Sequence, residues 1–337
     1  MNRKIKTLIL FIMISSFIVG CSSTTIREIS YIELTDGAKT PCITLSNSYL
    51  SVKILPELGG KIISIKSIDG KEFLDRGKPY KSRKSDMTYK DTEFDGIDEI
   101  FPTMEECVMP DGELKGLKLH PHGDLYRKKW QYFLYDDEKI LMETTGFELP
   151  YLFSRSIKLD KNSIILDYCI TNKSSQSLPY IYTFHPILRA ETGSKVELPP
   201  EMKIKVAFSR NGWLGKMGEI RTLSEIRNED NTLFFEKMFT SNSGRYWKFF
   251  TEKLNKGEVI ISHPDNTKLI INWPAEKFPY LAVWTSEGNV NGQNHIAPEP
   301  STSQEESLEK AYKIKESRSI KPGSKDEWQI KLTITRK

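Results

Sequence analysis

Short runs of alternating apolar and polar residues, separated by turn residues, extend from about residue 38 to the C-terminus. Residues 50–54 and 328–334 both carry apolar side chains at every second position. Alternation with period two is typical of strands that bury one face. Asp69-Gly70 and the loop over residues 263–266 are typical of the turns between such strands. The pattern predicts an all-β chain folded as a large antiparallel β-sandwich.

Helical patterns are few. Residues 246–254 fit either one helix or a strand that runs into a turn, and residues 305–316 have a helical composition but are highly charged. No internal repeat, low-complexity tract or proline-rich linker divides the chain. We therefore expect a single β-sandwich domain over residues 37–337.

The first twenty residues are typical of an export signal. Three basic residues open the chain, and an apolar run follows over residues 8–19. A run of that length is too short for a membrane-spanning helix, which needs about 20 residues. The run ends in Gly20-Cys21, which resembles the bacterial lipobox, where the Cys is lipidated and becomes the new N-terminus.

These features predict a signal peptide over residues 1–20 and a lipidated Cys21 with a tether over residues 21–36. The protein would then be exported and lipid-anchored to a bacterial membrane, facing the periplasm or the cell surface. An uncleaved N-terminal anchor is the alternative. Loss of the three basic residues of the signal lowers the net charge from +4 to +1, with both signs interspersed. No concentrated basic face for nucleic acid is indicated.

Lipidation of Cys21 would leave Cys42, Cys107 and Cys169. Three is an odd number, so at least one thiol stays free or pairs with another chain. No two of these cysteines have the spacing of a metal site. Buried free thiols with at most one disulfide are the expected arrangement.

Candidate chemistry is concentrated in three patches. The first is Leu119-His120-Pro121-His122-Gly123, the second surrounds His185-Pro186, and the third is Glu299-Pro300-Ser301-Thr302. Taken singly, a histidine in a β protein is usually a hydrogen-bonded polar residue, and a glutamate beside proline usually lies in a solvated loop. The order of the three patches along the chain is more informative than any one of them.

In that order the patches resemble the aldose 1-epimerase (galactose mutarotase) family. The family has a histidine followed by glycine in a loop, a second histidine after a strand and a Glu-Pro segment near the C-terminus. The opening Leu55–Ile62, with its glycine pair, and the ending Ile320–Gly323 are similar to the start and the close of the family. The resemblance implies a galactose mutarotase-like supersandwich fold.

The resemblance also implies a reaction. Converting α- to β-pyranose requires deprotonation of the anomeric hydroxyl and protonation of the ring oxygen, so that the ring opens and recloses on the other face. Glu299 would be the general base and His185 the general acid, while His122 would bind and place the sugar. The expected partner is a small-molecule sugar or the end of a glycan, and no cofactor is implied.

Other contacts to the sugar are less defined. Family members carry an arginine shortly before the first histidine motif, but residues 94–102 contain none. Asp98 or Glu99 would contact hydroxyls there, or the stretch is a solvated acidic turn. Arg127 or Arg189 would supply a cation instead. Trp284 would stack on a sugar face, or it is a core aromatic.

Metal binding is an alternative for the first patch. On a strand His120 and His122 would share a face, and Glu105 or Glu106 would complete a site. Pro121 lies between them, however, and the family reaction needs no metal. We therefore expect none.

Three functions compete. The first is a mutarotase that acts outside the cytoplasm, and the second is a non-catalytic carbohydrate-binding lipoprotein with the same fold. Both a histidine and a glutamate in the motifs favour the enzyme. The third, a lyase or glycoside hydrolase, ranks last because a hydrolase normally needs two carboxylates beside the bond, and only Glu299 lies in a motif.

Overall fold

A computed structural model describes residues 24–135, 138–147 and 149–336. The predicted signal peptide and Cys21 lie outside the described residues. The strands up to the second histidine patch are β1 (Ile26–Glu33), β2 (Lys39–Ser46), β3 (Leu50–Leu55), β4 (Lys61–Ser67), β5 (Gly96–Ile100), β6 (Cys107–Val108), β7 (Lys118–Leu119), β8 (Gln131–Leu134), β9 (Lys139–Thr145), β10 (Tyr151–Asp160), β11 (Ser163–Asn172), β12 (Leu178–Tyr180) and β13 (Thr183–Arg189).

The remaining strands are β14 (Lys195–Glu197), β15 (Lys203–Ser209), β16 (Ile220–Thr222), β17 (Tyr246–Thr251), β18 (Glu258–Ser262), β19 (Thr267–Asn272), β20 (Tyr280–Glu287), β21 (Asn294–Ser301), β22 (Arg318–Ile320) and β23 (Lys325–Arg336). One α-helix, α1 (Leu308–Lys313), and four 3₁₀ turns complete the described elements, the turns being Tyr89–Asp91, Leu125–Arg127, Arg210–Gly212 and Leu223–Glu225.

Two antiparallel sheets form the sandwich. The large sheet has eleven strands in the order β1-β2-β3-β4-β5-β13-β21-β20-β17-β15-β16, and the small sheet has eight in the order β14-β18-β19-β23-β11-β10-β9-β8. One continuous set of buried apolar side chains lies between them. The predicted all-β antiparallel sandwich is confirmed.

The alternating runs became strands as expected. β23 alternates buried and exposed positions over most of its twelve residues. Within residues 246–254, the segment Tyr246–Thr251 forms the strand β17. The charged stretch 305–316 contains only the short helix α1. Ser307 begins that helix by accepting a hydrogen bond from the amide of Lys310 at 3.4 Å.

The N-terminal boundary differs from the sequence expectation. Residues 26–33, placed in the tether, form β1, which pairs with β2 from Ile26 opposite Ser46 to Glu33 opposite Lys39. Most of its residues are exposed. The folded domain therefore begins earlier than predicted, and β1 escaped notice because an edge strand buries too little to show alternation.

The centre of the large sheet differs from its edges. Nearly every residue of β5, β13, β20 and β21 is buried, so these strands do not show a solvent-facing side. One face packs against the small sheet, and loops cover the other. That second, covered face carries polar side chains, and we refer to it as the site face.

The pairing of β13 with β21 is interrupted in the middle. Partners are found at Thr183 with Ser301 and again at Leu188 with Ile296. Pro186, Pro298 and Pro300 lie between these points, and proline has no N–H to donate. The strand offset is the same on both sides of the gap, which places His185 directly opposite Glu299.

Candidate functional site

His185 and Glu299 meet across this gap. Directly opposed residues of antiparallel strands hold their Cβ atoms about 4.5–5.5 Å apart. The Nε2 atom of His185 accordingly lies 3.7 Å from Oε1 of Glu299. The two side chains are 4% and 0% exposed. Strand pairing therefore brings together two residues that are remote in sequence, as the resemblance requires.

Glu299 is held from one side only. Its Oε2 accepts a hydrogen bond from Nζ of Lys248 at 2.8 Å, and that lysine also contacts Oε1 of Glu306 at 2.6 Å. Among the described residues, the other oxygen, Oε1, has no hydrogen-bond donor. Burial raises the pKa of Glu299 to about 7, against the opposing effect of Lys248. A carboxyl group near half-ionised at neutral pH suits proton transfer.

His185 has a defined orientation. Its Nδ1 lies 3.2 Å from the hydroxyl of Tyr89, which also donates to Oδ2 of Asp98 at 3.2 Å. Because the hydroxyl has a single proton, Nδ1–H of His185 donates to the Tyr89 oxygen, and Nε2 faces Glu299 with its lone pair. Burial, then the nearby His122 and Lys248, lower the pKa of His185 well below its ordinary value. The imidazole is neutral at neutral pH.

His122 lies beside the pair. Its ring stacks on Tyr89 with centroids 3.8 Å apart and planes 1° from parallel, and it lies 6.1 Å from the ring of His185. His122 is partly exposed, its Nδ1 has no partner within the described chain, and burial lowers its pKa to about 3. A neutral, unpartnered imidazole at the edge of the site is suited to a sugar hydroxyl.

The His-Gly pattern has a local cause. His122 has a φ of 62° and Gly123 a φ of 68°, so two successive residues have left-handed backbone. A Cβ atom on Gly123 would lie 1.7 Å from the carbonyl oxygen of Phe101, which excludes any other residue. The glycine thus lets the loop press against Phe101 and turn His122 toward the site.

Asp98 forms part of a buried ionic group. It lies opposite His185 on β5, and its Oδ2 accepts from Nζ of Lys61 at 2.8 Å as well as from Tyr89. Lys61 also contacts Asp95 at 3.2 Å. The other oxygen of Asp98, Oδ1, is buried with no partner among the described residues. Asp98 therefore lies in the site, where it supports Tyr89, and it is not a solvated acidic turn.

Glu99 lies on the opposite face. Arg155 and Tyr168 donate to its Oε1 at 2.6 and 2.8 Å, and Tyr182 donates to its Oε2 at 2.5 Å. All these groups are buried between the sheets. Successive strand residues point to opposite faces, so of the two acidic candidates only Asp98 faces the histidines.

Of the remaining candidates, Trp284 lies beside His185. Trp284 is 7% exposed, its ring stacks 5.9 Å from that of His185, and Tyr246 meets it edge-on at 6.0 Å. Phe208 stacks on Tyr246 at 4.8 Å. Tyr246 and Phe208 are partly exposed. These three aromatic residues form an apolar wall beside the acid–base pair, of the kind that packs against a sugar face.

The two arginines are not beside the pair. Arg189 is exposed at the end of β13, four residues beyond His185, and lines a separate polar cleft of about 1200 Å³. Arg127 is buried and binds Oδ1 of Asp124 at 2.7 Å. In the structure neither is positioned to replace the arginine of the family.

Sequence reasoning missed Lys248 and Tyr89. Lys248 had a visible signal, since it is the only charged residue in the apolar strand Tyr246–Thr251 and is 4% exposed. Tyr89 lies in a short 3₁₀ turn of a long loop, where no periodicity identifies a buried side chain. Both residues contact the predicted catalytic pair.

No metal site is found in the described ranges: no three His, Cys, Asp or Glu residues are grouped so as to hold an ion. Cys42, Cys107 and Cys169 are free thiols. No helix of residues 24–135, 138–147 and 149–336 is long and apolar enough to span a membrane.

Comparisons with known proteins show the fold. No protein-family model matches the sequence, and no curated protein matches it. A galactose mutarotase-like protein from Clostridium acetobutylicum is similar in structure, with a TM-score of 0.64 and 16% identity over 93% of this chain and 99% of that one.

Two further structures agree. A proposed aldose 1-epimerase from Klebsiella pneumoniae has a TM-score of 0.67 at 12% identity, covering 93% of this chain and 88% of its own. A galactose mutarotase-like protein from Lactobacillus casei has a TM-score of 0.61 at 17% identity, covering 87% and 100%. The chain has the galactose mutarotase-like fold.

Proposed function

We propose that this protein is an aldose 1-epimerase that interconverts the α and β anomers of a sugar. The observation that carries the proposal is the His185–Glu299 pair. The two groups are buried, and Nε2 of the imidazole lies 3.7 Å from Oε1 of the carboxylate. That oxygen has no hydrogen-bond partner among the described residues. Because a fold alone does not fix an activity, this pair is the feature to test.

The chemistry requires that the pair hold one proton. One group removes the proton of the anomeric hydroxyl while the other protonates the ring oxygen, which keeps the electron pair of the breaking C1–O bond. The aldehyde turns, and the reverse transfers close the ring on the other face. Since the two steps exchange the roles of acid and base, each group serves in both.

The order of the pKa values bears on which group carries the proton at rest. The pKa of Glu299 is raised to about 7 and that of His185 is lowered well below its ordinary value. When the pair holds one proton, that proton then lies on Glu299 and His185 is neutral, the reverse of the arrangement implied by the family resemblance. The pair titrates as a unit, so the activity profile reports the pair and not one residue.

The walls of the site favour a sugar. Trp284, Tyr246 and Phe208 provide an apolar face, and His122, Asp98 and Glu299 each retain a polar atom without a partner in the described structure. A pyranose has the same combination, an apolar ring face and a rim of hydroxyls.

A non-catalytic carbohydrate-binding protein is the second candidate. It is favoured by the ion pair of Lys248 with Glu299, since a carboxylate that is already partnered is a weaker base. The two candidates differ in one measurable property, acceleration of anomer exchange.

The test is anomer exchange by a soluble variant that lacks residues 1–21. Polarimetry of freshly dissolved α-D-glucose, α-D-galactose, D-xylose and L-arabinose, with NMR exchange spectroscopy for slow cases, gives the rate. Acceleration of at least one aldose is expected. Sugar binding with no acceleration of any aldose would support the carbohydrate-binding alternative.

Export is a second, independent part of the proposal. Lipidation of Cys21 would place the domain outside the cytoplasm, anchored to a membrane. Cys21→Ser should abolish labelling by a fatty-acid probe and leave an unprocessed precursor, with Cys42→Ser as the control that labels normally. Unchanged labelling of the Cys21→Ser variant would refute the anchor.

A further inference from the structure

Lys248 reaches Glu299 from two strands away. Lys248 lies on β17 and Glu299 on β21, with β20 between them. Neighbouring strands are about 4.8 Å apart, so the lysine has to cross roughly 10 Å of sheet. Ala282 is the β20 residue directly opposite Glu299. Its methyl group leaves the space above the strand open, and a larger side chain there would stand between the two charges.

Lys248 makes the two oxygens of Glu299 unequal. Its Nζ binds Oε2 at 2.8 Å, whereas Oε1 faces Nε2 of His185 and has no hydrogen-bond donor in the described chain. A carboxylate with both oxygens free could rotate and present either one. With Oε2 held, Oε1 is the oxygen available to a substrate.

Lys248 is itself fixed. It is 4% exposed and also binds Oε1 of Glu306 at 2.6 Å, and its Nζ lies 3.3 Å from the sulfur of Met104. The Glu306 side chain is 22% exposed at the edge of the site. A buried ammonium between two carboxylates is anchored in position and in charge.

We propose that Lys248 is a positioning residue for the acid–base pair: it orients the Glu299 carboxylate so that Oε1 is the reactive oxygen, and it sets the pH range over which the pair holds one proton. This inference rests on the proposed function. It requires no contact between Lys248 and the sugar, and neither the sequence motifs nor the comparisons assign the residue a role.

Several charged or titratable groups face Glu299 from the surrounding elements. Lys248 and Tyr246 come from β17, Glu306 from the loop before α1, His185 from β13 and His122 from its loop. Tyr89, Asp98 and Lys61 lie behind His185. After burial, Lys248 lowers the pKa of Glu299 and Glu306 raises it, so changes at these two residues should act in opposite directions.

The experiment measures anomer exchange of the truncated protein against pH, using the aldose that the wild type converts best. The alkaline limb follows the loss of the last proton of the pair, near pH 7 in the wild type. Lys248→Met removes the charge at similar length. An opposite charge at contact distance shifts a carboxyl pKa by about 1–3 units, so the alkaline limb should move up by about that amount.

Glu306→Gln is the matched variant. Glu306 lies at the partly exposed edge of the site. Its replacement leaves Lys248 bound to Glu299 alone, so the alkaline limb should move to lower pH. Lys248→Arg separates charge from geometry, because a guanidinium binds both carboxylate oxygens and would occupy Oε1. Its alkaline limb should stay near that of the wild type while the plateau kcat falls.

The outcomes are distinct. A wild type that accelerates no aldose contradicts the proposed function. An active wild type whose alkaline limb does not move in Lys248→Met and Glu306→Gln overturns the role of Lys248, and so does Lys248→Arg with the plateau of the wild type. Thermal unfolding of each variant identifies loss of fold. If Lys248→Met does not fold, Lys248→Arg still decides: its plateau kcat falls if Lys248 orients Glu299 and stays at the wild-type value if it does not.

Discussion

Asp98 and Glu99 are adjacent in sequence but belong to two different groups of buried charged residues. Glu99 faces the space between the sheets, where Arg155, Tyr168 and Tyr182 satisfy both of its oxygens. Asp98 faces the site, where it, Glu299 and His122 each keep a buried polar atom with no partner among the described residues.

The difference indicates what each region does. A fully hydrogen-bonded buried ion specifies one packing arrangement, whereas an unsatisfied polar atom costs free energy that a structural role does not explain. In the core group both carboxylate oxygens of Glu99 are partnered, although Nε of Arg155 is not. In the site group one oxygen of each carboxylate is without a partner among the described residues, and these free acceptors face the space beside the histidines. This contrast separates the two regions more clearly than burial does, because both are buried.

The largest expected effect is on the rate of the site pair. Glu299→Gln and His185→Asn should each slow anomer exchange by about 10²- to 10⁴-fold, the usual contribution of general acid–base catalysis. The double variant should be little slower than either single one, because the residues act together on one ring opening.

Polarimetry and NMR measure these rates, with the exposed Glu201→Gln and with His120→Asn as controls at the wild-type rate. If the Glu299 and His185 variants remain folded and exchange anomers as fast as the wild type, the pair is not catalytic.

The second effect is on the stability of the core group. Glu99→Gln removes the only carboxylate that contacts Arg155 in the described structure, and breaking a buried ion pair costs about 3–5 kcal/mol. Glu299→Gln should cost less, because Lys248 keeps Glu306 as a partner. Urea unfolding of both variants measures this difference. Equal losses would remove the distinction between the regions.

The third effect is the pH dependence of stability. The pKa of His185 is lowered in the folded state, so its neutral form stabilises the fold above about pH 6.5, and this contribution is lost as pH falls below that value. The loss is about 1.4 kcal/mol per pH unit for one group. His185→Asn should therefore lose less stability than the wild type between pH 6.5 and 5.

Denaturant unfolding at the two pH values tests this. Parallel losses in the wild type and in His185→Asn would mean that the acid sensitivity originates elsewhere, for example at His263, whose pKa burial lowers to about 4.

The last prediction is that removal of metal ions has no effect on activity. We expect chelators to leave the rate of anomer exchange unchanged and purified protein to hold no stoichiometric metal. Loss of the rate on chelation, restored by one specific ion, would favour the His120/His122 metal hypothesis instead.

The sequence predicted the architecture well because periodicity is a local signal. β3, β19 and β23 each bury one face, so alternation marks them. β1 at the edge was missed, since an exposed strand has no buried face to alternate. The central strands were identified by motif, not by alternation, because both of their faces are covered.

The site was only partly predictable. The resemblance named His185, Glu299 and His122, and the structure brings these three together. It does not bring Arg189 to them, because four residues along a strand are about 13 Å. Lys248 and Tyr89 depend on strand order and on loop packing, which no local pattern encodes.

The three prolines in the unpaired middle of β13 and β21 affect how easily the space between His185 and Glu299 adjusts to a bound sugar. In an ordinary ladder, moving two strands apart weakens and then breaks hydrogen bonds that contribute about 0.5–1.5 kcal/mol each. Here the strands are paired at Thr183 and again at Leu188, and not at the acid–base pair between them. Widening the gap at this point would therefore break no hydrogen bond between β13 and β21. The outer pairings of His185 with β5 and of Glu299 with β20 remain, so each group keeps its place on its own neighbouring strand while the space between the two groups adjusts to the bound ring.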